Sequence, residues 1–115
     1  MSDTVTRYYQ AVDNNDITAL LNLFTDDAVY ERPGYPPLNG RADLQEFYTS
    51  TRVIQSGAHV ITDRLETDRA IAVQGTFTGT VVGGQAVTLR FSDFFEIGPD
   101  ERITRRTTYF FAPLV

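Results

Sequence analysis

The sequence predicts an α+β domain in which helices precede a mainly antiparallel sheet. Apolar residues recur at helical spacing through the first half of the chain, and after Gly57 β-branched and aromatic residues alternate with polar ones. Gly83-Gly84 and Gly98-Pro99-Asp100 separate the alternating segments, where hairpin turns are expected. We therefore expect a curved sheet that wraps three N-terminal helices.

Length and composition favour a single domain over residues 1–115. The 115 residues, 42% of them apolar, suffice for one core. Ten arginines stand against fifteen acids, and the formal charge of -5 argues against nucleic acid or an anionic membrane as a partner. The absence of cysteine excludes disulfides and thiolate catalysis. No apolar run matches a signal peptide or a membrane span, so we expect a cytoplasmic protein.

Two helices, the second of them short, are predicted at the start of the chain. Ser2 is expected to cap the first helix, which ends near Asn14-Asn15. Its apolar stripe consists of Val5, Tyr8, Tyr9 and Val12. Asp16 is expected to cap the second helix, and Asp26-Asp27 to break it. The stripe of the second helix consists of Ile17, Leu20, Leu21 and Phe24.

The remaining elements follow from turns and alternation. A strand is predicted from Ala28 to Arg32, followed by a turn rich in proline and glycine, and a third helix is predicted from Arg41 to about Thr51. The long strands are predicted at His59 to Glu66, Ala70 to Val82, Ala86 to Ile97 and Ile103 to Phe111.

The segment from Phe24 to Tyr48 resembles the ketosteroid isomerase and SnoaL-like branch of the nuclear transport factor 2 superfamily. The pattern is a helix ending in an aromatic residue, then Asp26-Asp27-Ala28, a strand closing on Glu31-Arg32-Pro33, a turn, and a helix carrying Phe47-Tyr48. The resemblance covers nearly the whole chain. It implies a cone-shaped fold, an apolar small-molecule ligand and a homodimer formed through the outer face of the sheet.

The same resemblance assigns roles to three positions. Tyr8 matches the tyrosine that donates to the developing oxyanion in the isomerases, and Asp93 matches their second donor, a protonated aspartic acid. Arg32 stands where the isomerases hold the aspartate that abstracts the proton. An arginine does not deprotonate in a protein, so the isomerase mechanism does not carry over unchanged.

Strand periodicity also singles out Asp93. Six alternate residues of its strand share one face: Val87, Leu89, Phe91, Asp93, Phe95 and Ile97. Desolvation among large apolar side chains would favour the neutral acid. The alternative is a structural role, as a partly exposed acid at a sheet edge or an acid paired with an arginine.

Two arginines complicate the predicted pocket. If Arg32 pairs with Asp93, the carboxylate is ionised and becomes the general base; if it does not, Arg32 offers its guanidinium to a carboxylate or enolate of the ligand. By the family alignment, Arg106, Thr108 and Phe110 form the cavity-facing row of the last strand. A solvated, salt-bridged strand end is the alternative for both arginines.

Other candidates are weaker. His59, the single histidine, is expected either to contact the ligand or to be a half-buried sheet residue. Without clustered carboxylates it predicts no metal site, and no motif indicates another cofactor. Glu31 should face away from Arg32, because neighbouring strand residues point to opposite faces. Arg90 and Asp93 are three apart, so the Arg-x-Asp spacing of limonene epoxide hydrolases is absent.

These observations predict a pocket enzyme that performs acid-base chemistry on an apolar ring compound with a carbonyl group. Isomerisation fits the resemblance to ketosteroid isomerase, and cyclisation with Asp93 as base fits the polyketide cyclases of the same superfamily. A non-catalytic ligand-binding or dimeric assembly module is the alternative, because this fold hosts both classes. A closed cavity that holds Tyr8 and Asp93 together would favour catalysis, whereas a filled or solvent-flooded cone would favour the binding or assembly module.

Overall fold

Three helices lead into a six-stranded sheet that is curved and unclosed. A computed structural model describes residues 3–51 and 54–112 of the chain. The helices are α1 (Thr4–Asp13), α2 (Ile17–Asn22) and α3 (Gly40–Glu46), and a π-helical turn (Phe47–Thr51) continues α3. The strands are β1 (Phe24–Glu31), β2 (Leu38–Asn39), β3 (Ile54–Glu66), β4 (Ala70–Val81), β5 (Ala86–Ile97) and β6 (Ile103–Phe110).

The sheet has the strand order β2-β1-β6-β5-β4-β3. Only the β1–β6 pair is parallel in the described part of the chain, so the predicted α+β class with a mainly antiparallel sheet is confirmed. In the register of β5 and β6, Asp93 lies opposite Thr108 and Phe95 lies opposite Arg106. The fold therefore brings these side chains together on the inner face.

The helix starts follow capping chemistry. The Asp3 carboxylate accepts a hydrogen bond from the backbone N–H of Thr6 at 2.9 Å and caps α1; the predicted cap, Ser2, lies outside the described residues. Asp16 caps α2 through the N–H of Ala19, as predicted. Between the two helices, Asn15 has a φ of 56°, the left-handed conformation that asparagine tolerates.

The prediction for β1 was wrong at its start. The strand begins at Phe24, four residues before Ala28, and runs through Asp26-Asp27. Long-range pairing explains the difference, because Phe24 lies opposite Ile103 and the N–H of Ile103 donates to the carbonyl of Leu23 at 2.7 Å. The two acids stay exposed on the strand. In the predicted turn, the short strand β2 pairs with β1.

The long strands match the prediction closely except at the start of β3. That strand begins at Ile54 and passes through Gly57, which the sequence had suggested as a boundary. A β-carbon on Gly57 would lie 2.4 Å from the Phe77 ring, so glycine is needed there for packing within the sheet. The ends of β4 and β6 lie within one residue of the predicted ends.

The core fills the concave side of the sheet. Its members are mainly aromatic and aliphatic residues from α1, β1, α3 and the inner faces of β4 to β6. On β5, Phe91, Asp93 and Phe95 are buried, so the predicted shared face is confirmed. None of the helices in residues 3–51 and 54–112 is long and apolar enough to cross a membrane.

Candidate functional site

A small cavity lies inside the curve of the sheet, between α1, β1 and strands β3 to β6. Its volume is about 30 Å³. The lining combines aromatic and aliphatic side chains with two arginines, one histidine and one threonine. These residues are Tyr8, Val12, Tyr30, Arg32, Tyr48, His59, Phe77, Leu89, Phe91, Arg106, Thr108 and Phe110.

Asp93 lies behind this lining in an ion pair with Arg106. The carboxylate is 1% exposed and the guanidinium residue 5% exposed, and Arg106 Nη2 donates to Asp93 Oδ2 at 2.8 Å. The hydroxyls of Tyr9 and Thr108 also donate to the carboxylate. The carboxylate therefore accepts hydrogen bonds from three side chains. Its partner is Arg106, so of the two alternatives left open by the sequence for Arg32, pairing with Asp93 is not the one observed.

Arg106 occupies the centre of the cone between aromatic rings. Its guanidinium carbon lies 4.6 Å from the ring centroid of Tyr8 and 4.5 Å from that of Tyr30. Nη1 donates to the hydroxyls of Tyr8 and Tyr48. Burial by itself lowers the pKa of Arg106, but the charge of Asp93 and the electrostatic interactions with Tyr30, Tyr8 and Tyr48 together outweigh burial, and the pKa stands well above its usual value. Arg106 is therefore a fixed cation.

Two adjacent tyrosines of α1 serve different parts of this network. The Tyr8 hydroxyl lies 2.5 Å from that of Tyr48 and reaches the cavity, whereas the Tyr9 hydroxyl binds Asp93. Burial raises the pKa of Tyr8 well above its usual value, although Arg106 opposes the shift. Burial and then the charge of Asp93 raise the pKa of Tyr9. Both tyrosines are therefore neutral phenols that can donate a hydrogen bond.

Arg32 lies at the mouth of the cavity. It lines both the cavity and a surface groove that includes Pro33 and Tyr35. Its guanidinium lies 5.3 to 5.4 Å from the ring centroids of Tyr35, Phe47 and Phe110. Among the described residues no carboxylate pairs with Arg32, and its buried Nε has no hydrogen-bond partner.

Two charged residues close in sequence to the site, Glu31 and Arg90, lie on the outer face of the sheet. Glu31 forms an ion pair with Arg105, on the face of the sheet opposite the cavity-lining Arg32, as the alternation predicted. Arg90 is exposed on the outer face of β5, 4.2 Å from the ring centroid of Phe111, whereas Asp93 is buried on the inner face. The sequence prediction of opposite faces for Arg90 and Asp93 is confirmed.

His59 lies on the opposite wall, on β3. Asp13, the last residue of α1, accepts hydrogen bonds from the backbone N–H of His59 at 2.9 Å and pairs with ring Nδ1 at 2.6 Å. Burial lowers the pKa of His59 below its usual value, and the hydrogen bond that Asp13 accepts from the ring opposes this shift without cancelling it. His59 is therefore a neutral imidazole at neutral pH.

The sequence pointed to Tyr8, Arg32, His59, Arg106 and Phe110, which line the cavity, and to Asp93, which lies behind it, but not to two further polar residues nearby. Tyr9 had been placed only on the apolar stripe of α1, and Asp13 had no role. The two are four residues apart and share one helix face, which is the signal that could have pointed to them. Within the part of the chain that the structure describes, no three His, Asp or Glu side chains cluster in a way that could hold a metal ion.

Comparison with known proteins identifies the fold. A model of the SnoaL-like domain family matches residues 5–106. An NTF2-like protein of unknown function from Burkholderia pseudomallei K96243 is 22% identical, with 96% of this chain and 92% of that chain covered and a TM-score of 0.83. A hypothetical protein with a ketosteroid isomerase-like fold from Catenulispora acidiphila DSM 44928, in complex with trimethylamine, is 19% identical, with coverages of 95% and 85% and a TM-score of 0.82.

A third neighbour has an enzymatic description. An LEH-like epoxide hydrolase from M. tuberculosis is 21% identical, with 93% of this chain and 79% of that chain covered and a TM-score of 0.80. At such identities the likeness of all three structures establishes the fold alone.

Proposed function

Because the chain belongs to the SnoaL-like domain family, we propose that it is a small-molecule enzyme that performs acid-base chemistry on an apolar ring compound with a carbonyl group. Isomerisation or cyclisation through an enolate is the reaction class. Structural neighbours with this fold include an epoxide hydrolase, so the architecture is compatible with catalysis in the cone.

One observation carries this proposal. Three buried side-chain nitrogens in the described chain lack a hydrogen-bond partner, and two of them, Nε of Arg32 and Nε of Arg106, belong to arginines that line the cavity. Leaving such a donor unpaired costs about 1 to 3 kcal/mol, more when the group is charged. Unpaired cationic donors beside aromatic walls favour a ring-bearing ligand that carries an oxygen anion or develops one.

The residues divide the work as follows. The neutral Tyr8 phenol, polarised by the Arg106 cation, donates to the carbonyl oxygen as negative charge develops there. Arg32 orients an acidic or enolic group at the mouth, and Phe110 packs against the ring. Asp93 acts through Arg106, which it holds in place, and so is a positioning residue.

Ligand entry requires side-chain movement. A volume of about 30 Å³ accommodates water but not a ring compound, which needs about 300 Å³ or more. Arg32 separates the cavity from the surface groove and has no carboxylate partner among the described residues, so its displacement breaks no ion pair. We expect Arg32 to swing outward when a ligand enters.

Deuterium exchange of a simple ring ketone tests the proposal. In deuterium oxide, the protein should accelerate exchange of the protons beside the carbonyl of 2-tetralone, followed by NMR. Tyr8→Phe should slow the exchange about a hundredfold, as loss of one oxyanion donor does in other enzymes. Tyr35→Phe, a matched change outside the cavity lining, should leave the rate unchanged. Native exchange no faster than in buffer would overturn the proposal.

A non-catalytic binding or assembly module is the second candidate. The observation in its favour is that Arg106 and the surrounding tyrosines already fill most of the cone. This candidate predicts that 2-tetralone binds, seen as NMR shifts of the cavity residues, while its exchange rate stays at the buffer value. Binding together with Tyr8-dependent exchange would exclude it.

We also propose a homodimer formed through the outer face of the sheet. Phe94 on β5 is 54% exposed and Tyr109 on β6 is 60% exposed, so this face presents large apolar side chains to solvent. Phe94→Glu should convert the dimer to a monomer in sedimentation experiments. Val82→Glu, at an exposed apolar residue in the β4–β5 turn, is the control and should leave the dimer intact.

A further inference from the structure

The pair formed by Asp13 and His59 has the geometry of an oriented acid-base group. Both carboxylate oxygens of Asp13 contact His59: Oδ2 accepts the backbone N–H at 2.9 Å, and Oδ1 lies 2.6 Å from Nδ1. The first bond fixes the carboxylate against the strand and the second fixes the ring. A carboxylate acceptor at Nδ1 requires the proton on Nδ1 and leaves Nε2 with its lone pair.

The position of Asp13 is unfavourable for stabilising α1. It is the last residue of α1, where the negative end of the helix dipole disfavours a carboxylate. Its side chain instead contacts His59 on β3, 46 positions away in the sequence. The contact therefore acts on His59 rather than on the helix.

The remaining ring nitrogen of His59 is available. Nε2 has no hydrogen bond with any residue in the described ranges, and it is not among the fully buried atoms that lack a partner, so it keeps accessible surface. The ring lines the cavity and is held by aromatic neighbours: its centroid lies 5.1 Å from that of Tyr9, 4.8 Å from that of Phe77 and 5.4 Å from that of Phe91.

The carboxylates near the cavity are poorly placed to act as a base. Among residues 3–51 and 54–112, no Asp or Glu side chain lines the cavity. Asp93 lies behind the lining and accepts hydrogen bonds from three donors, and Glu31 is paired with Arg105. Of the lining residues that the structure describes, only His59 can be neutral and accept a proton near neutral pH.

We propose that His59, oriented by Asp13, is the general base of this cavity, and this rests on the proposed function. Nε2 takes a proton from the carbon beside the substrate carbonyl. The C–H electron pair forms a carbon–carbon double bond, and the carbonyl electrons move to oxygen, where Tyr8 donates a hydrogen bond. The imidazolium, stabilised by Asp13, then returns the proton to the same carbon or to another carbon of the enolate.

The charged and polar groups around the His59 ring favour its return to the neutral form after each turnover. Asp13 faces it from α1, Tyr9 packs on it as a neutral phenol, and Asp93 and Arg106 act on it from β5 and β6. Burial and the Arg106 cation lower the pKa of His59, whereas the two carboxylates oppose them. The imidazolium is thus a transient acid that readily gives its proton back.

The test compares His59→Gln with Val60→Gln. Val60 is the next residue, 58% exposed, and lies outside the cavity lining. In the 2-tetralone exchange assay His59→Gln should lower the rate by about a hundredfold or more, and Val60→Gln should leave it unchanged. Circular dichroism confirms that both variants fold.

Asp13→Asn tests the orienting contact through a readout that catalysis does not affect. His59 is the single histidine of the chain, so its ring nitrogens give unambiguous ¹⁵N NMR signals. The native protein should show the proton on Nδ1, and Asp13→Asn should shift the population toward the Nε2–H form and slow exchange.

The outcomes separate the two proposals. If the native protein accelerates exchange and His59→Gln exchanges at the native rate, the base assignment is wrong while the proposed function stands. A native proton on Nε2 would also overturn the assignment. If the native protein does not accelerate exchange, the proposed function fails and the base assignment fails with it.

Discussion

The floor and the mouth of the cavity each contain an arginine surrounded by aromatic rings, yet the two differ in their partners. At the floor, Arg106 contacts the Asp93 carboxylate and two tyrosine hydroxyls. At the mouth, Arg32 has ring contacts and no carboxylate partner among the described residues.

This difference shows that a cation in a pocket can have a structural role, and that its partners distinguish such a role from ligand binding. Arg106 is needed to neutralise Asp93, so its removal should damage the fold. Arg32 pairs with no carboxylate in the described ranges, so its removal should spare the fold and damage ligand binding. The same substitution can therefore be made at both arginines. At Arg106 we expect it to affect stability, and at Arg32 we expect it to affect ligand affinity.

The largest expected effect is on stability at the floor. Arg106→Met leaves the Asp93 carboxylate buried without a counter-charge and should lower the free energy of unfolding by about 3 to 5 kcal/mol. Urea denaturation measures this. Arg32→Met, the matched change at the mouth, should cost less than about 1 kcal/mol, because it removes only cation–π contacts and no ion pair. Equal losses of unfolding free energy in the two variants would show that the two arginines do not differ in their structural role.

A double variant sharpens the same comparison. Adding Asp93→Leu to Arg106→Met removes the unpaired charge and should recover part of the lost stability. Recovery should be incomplete, because the hydroxyls of Tyr9 and Thr108 then lose their acceptor. A double variant less stable than Arg106→Met alone would show that the charge is not the cause of the loss.

The second effect is on ligand affinity at the mouth. A hydrogen-bonded charge is worth about 1.5 to 3 kcal/mol, so Arg32→Met should weaken binding of 2-naphthoate by about ten- to a hundredfold. The methyl ester of 2-naphthoate has the same rings without the charge and should lose less than about threefold by the same principle. Fluorescence titration measures both. Similar losses for the acid and the ester would show that Arg32 contributes packing rather than charge.

A smaller effect is expected when one hydroxyl is removed from the floor. Tyr8→Phe should lower the free energy of unfolding by about 1 kcal/mol, because Arg106 Nη1 keeps its contact with Tyr48 at 3.2 Å. Tyr35→Phe at the mouth should change stability by no more than a few tenths, since no hydrogen bond of its hydroxyl occurs in the described residues. A loss above 3 kcal/mol for Tyr8→Phe would mean that the tyrosine, not Asp93, holds Arg106.

Sequence periodicity could predict the fold because local signals and tertiary structure agree in most segments. The alternation along β5 gave both its bounds and its buried face. The exceptions are places where pairing overrides local signals. Phe24 joined β1 because Ile103 lies opposite it, and β3 runs through Gly57 because the Phe77 ring takes up the space of a side chain. Neither partner is close in sequence.

The site was less predictable for a related reason. Resemblance to a family places Tyr8, Asp93 and Arg106 on the inner face, but it does not say which arginine meets the carboxylate. That depends on the register of β5 and β6, which sets Asp93 opposite Thr108, two residues from Arg106. The contact between Asp13 and His59 joins a helix end to a distant strand, and no local pattern encodes it.

The last prediction concerns His59, on the wall between floor and mouth, and its effect is the smallest because it vanishes at neutral pH. Burial lowers the pKa of His59 below its ordinary value of 6.5, so the unfolded chain binds a proton before the folded protein does. Stability should therefore fall as the pH drops through 6.5 toward the lower pKa of the folded state. His59→Gln should lack this component, so the difference in unfolding free energy between native protein and variant should shrink from about pH 7 to about pH 5.5. A difference that instead grows on acidification would mean that Asp13 stabilises the imidazolium more than burial disfavours it, and the histidine would then be a poor base at neutral pH.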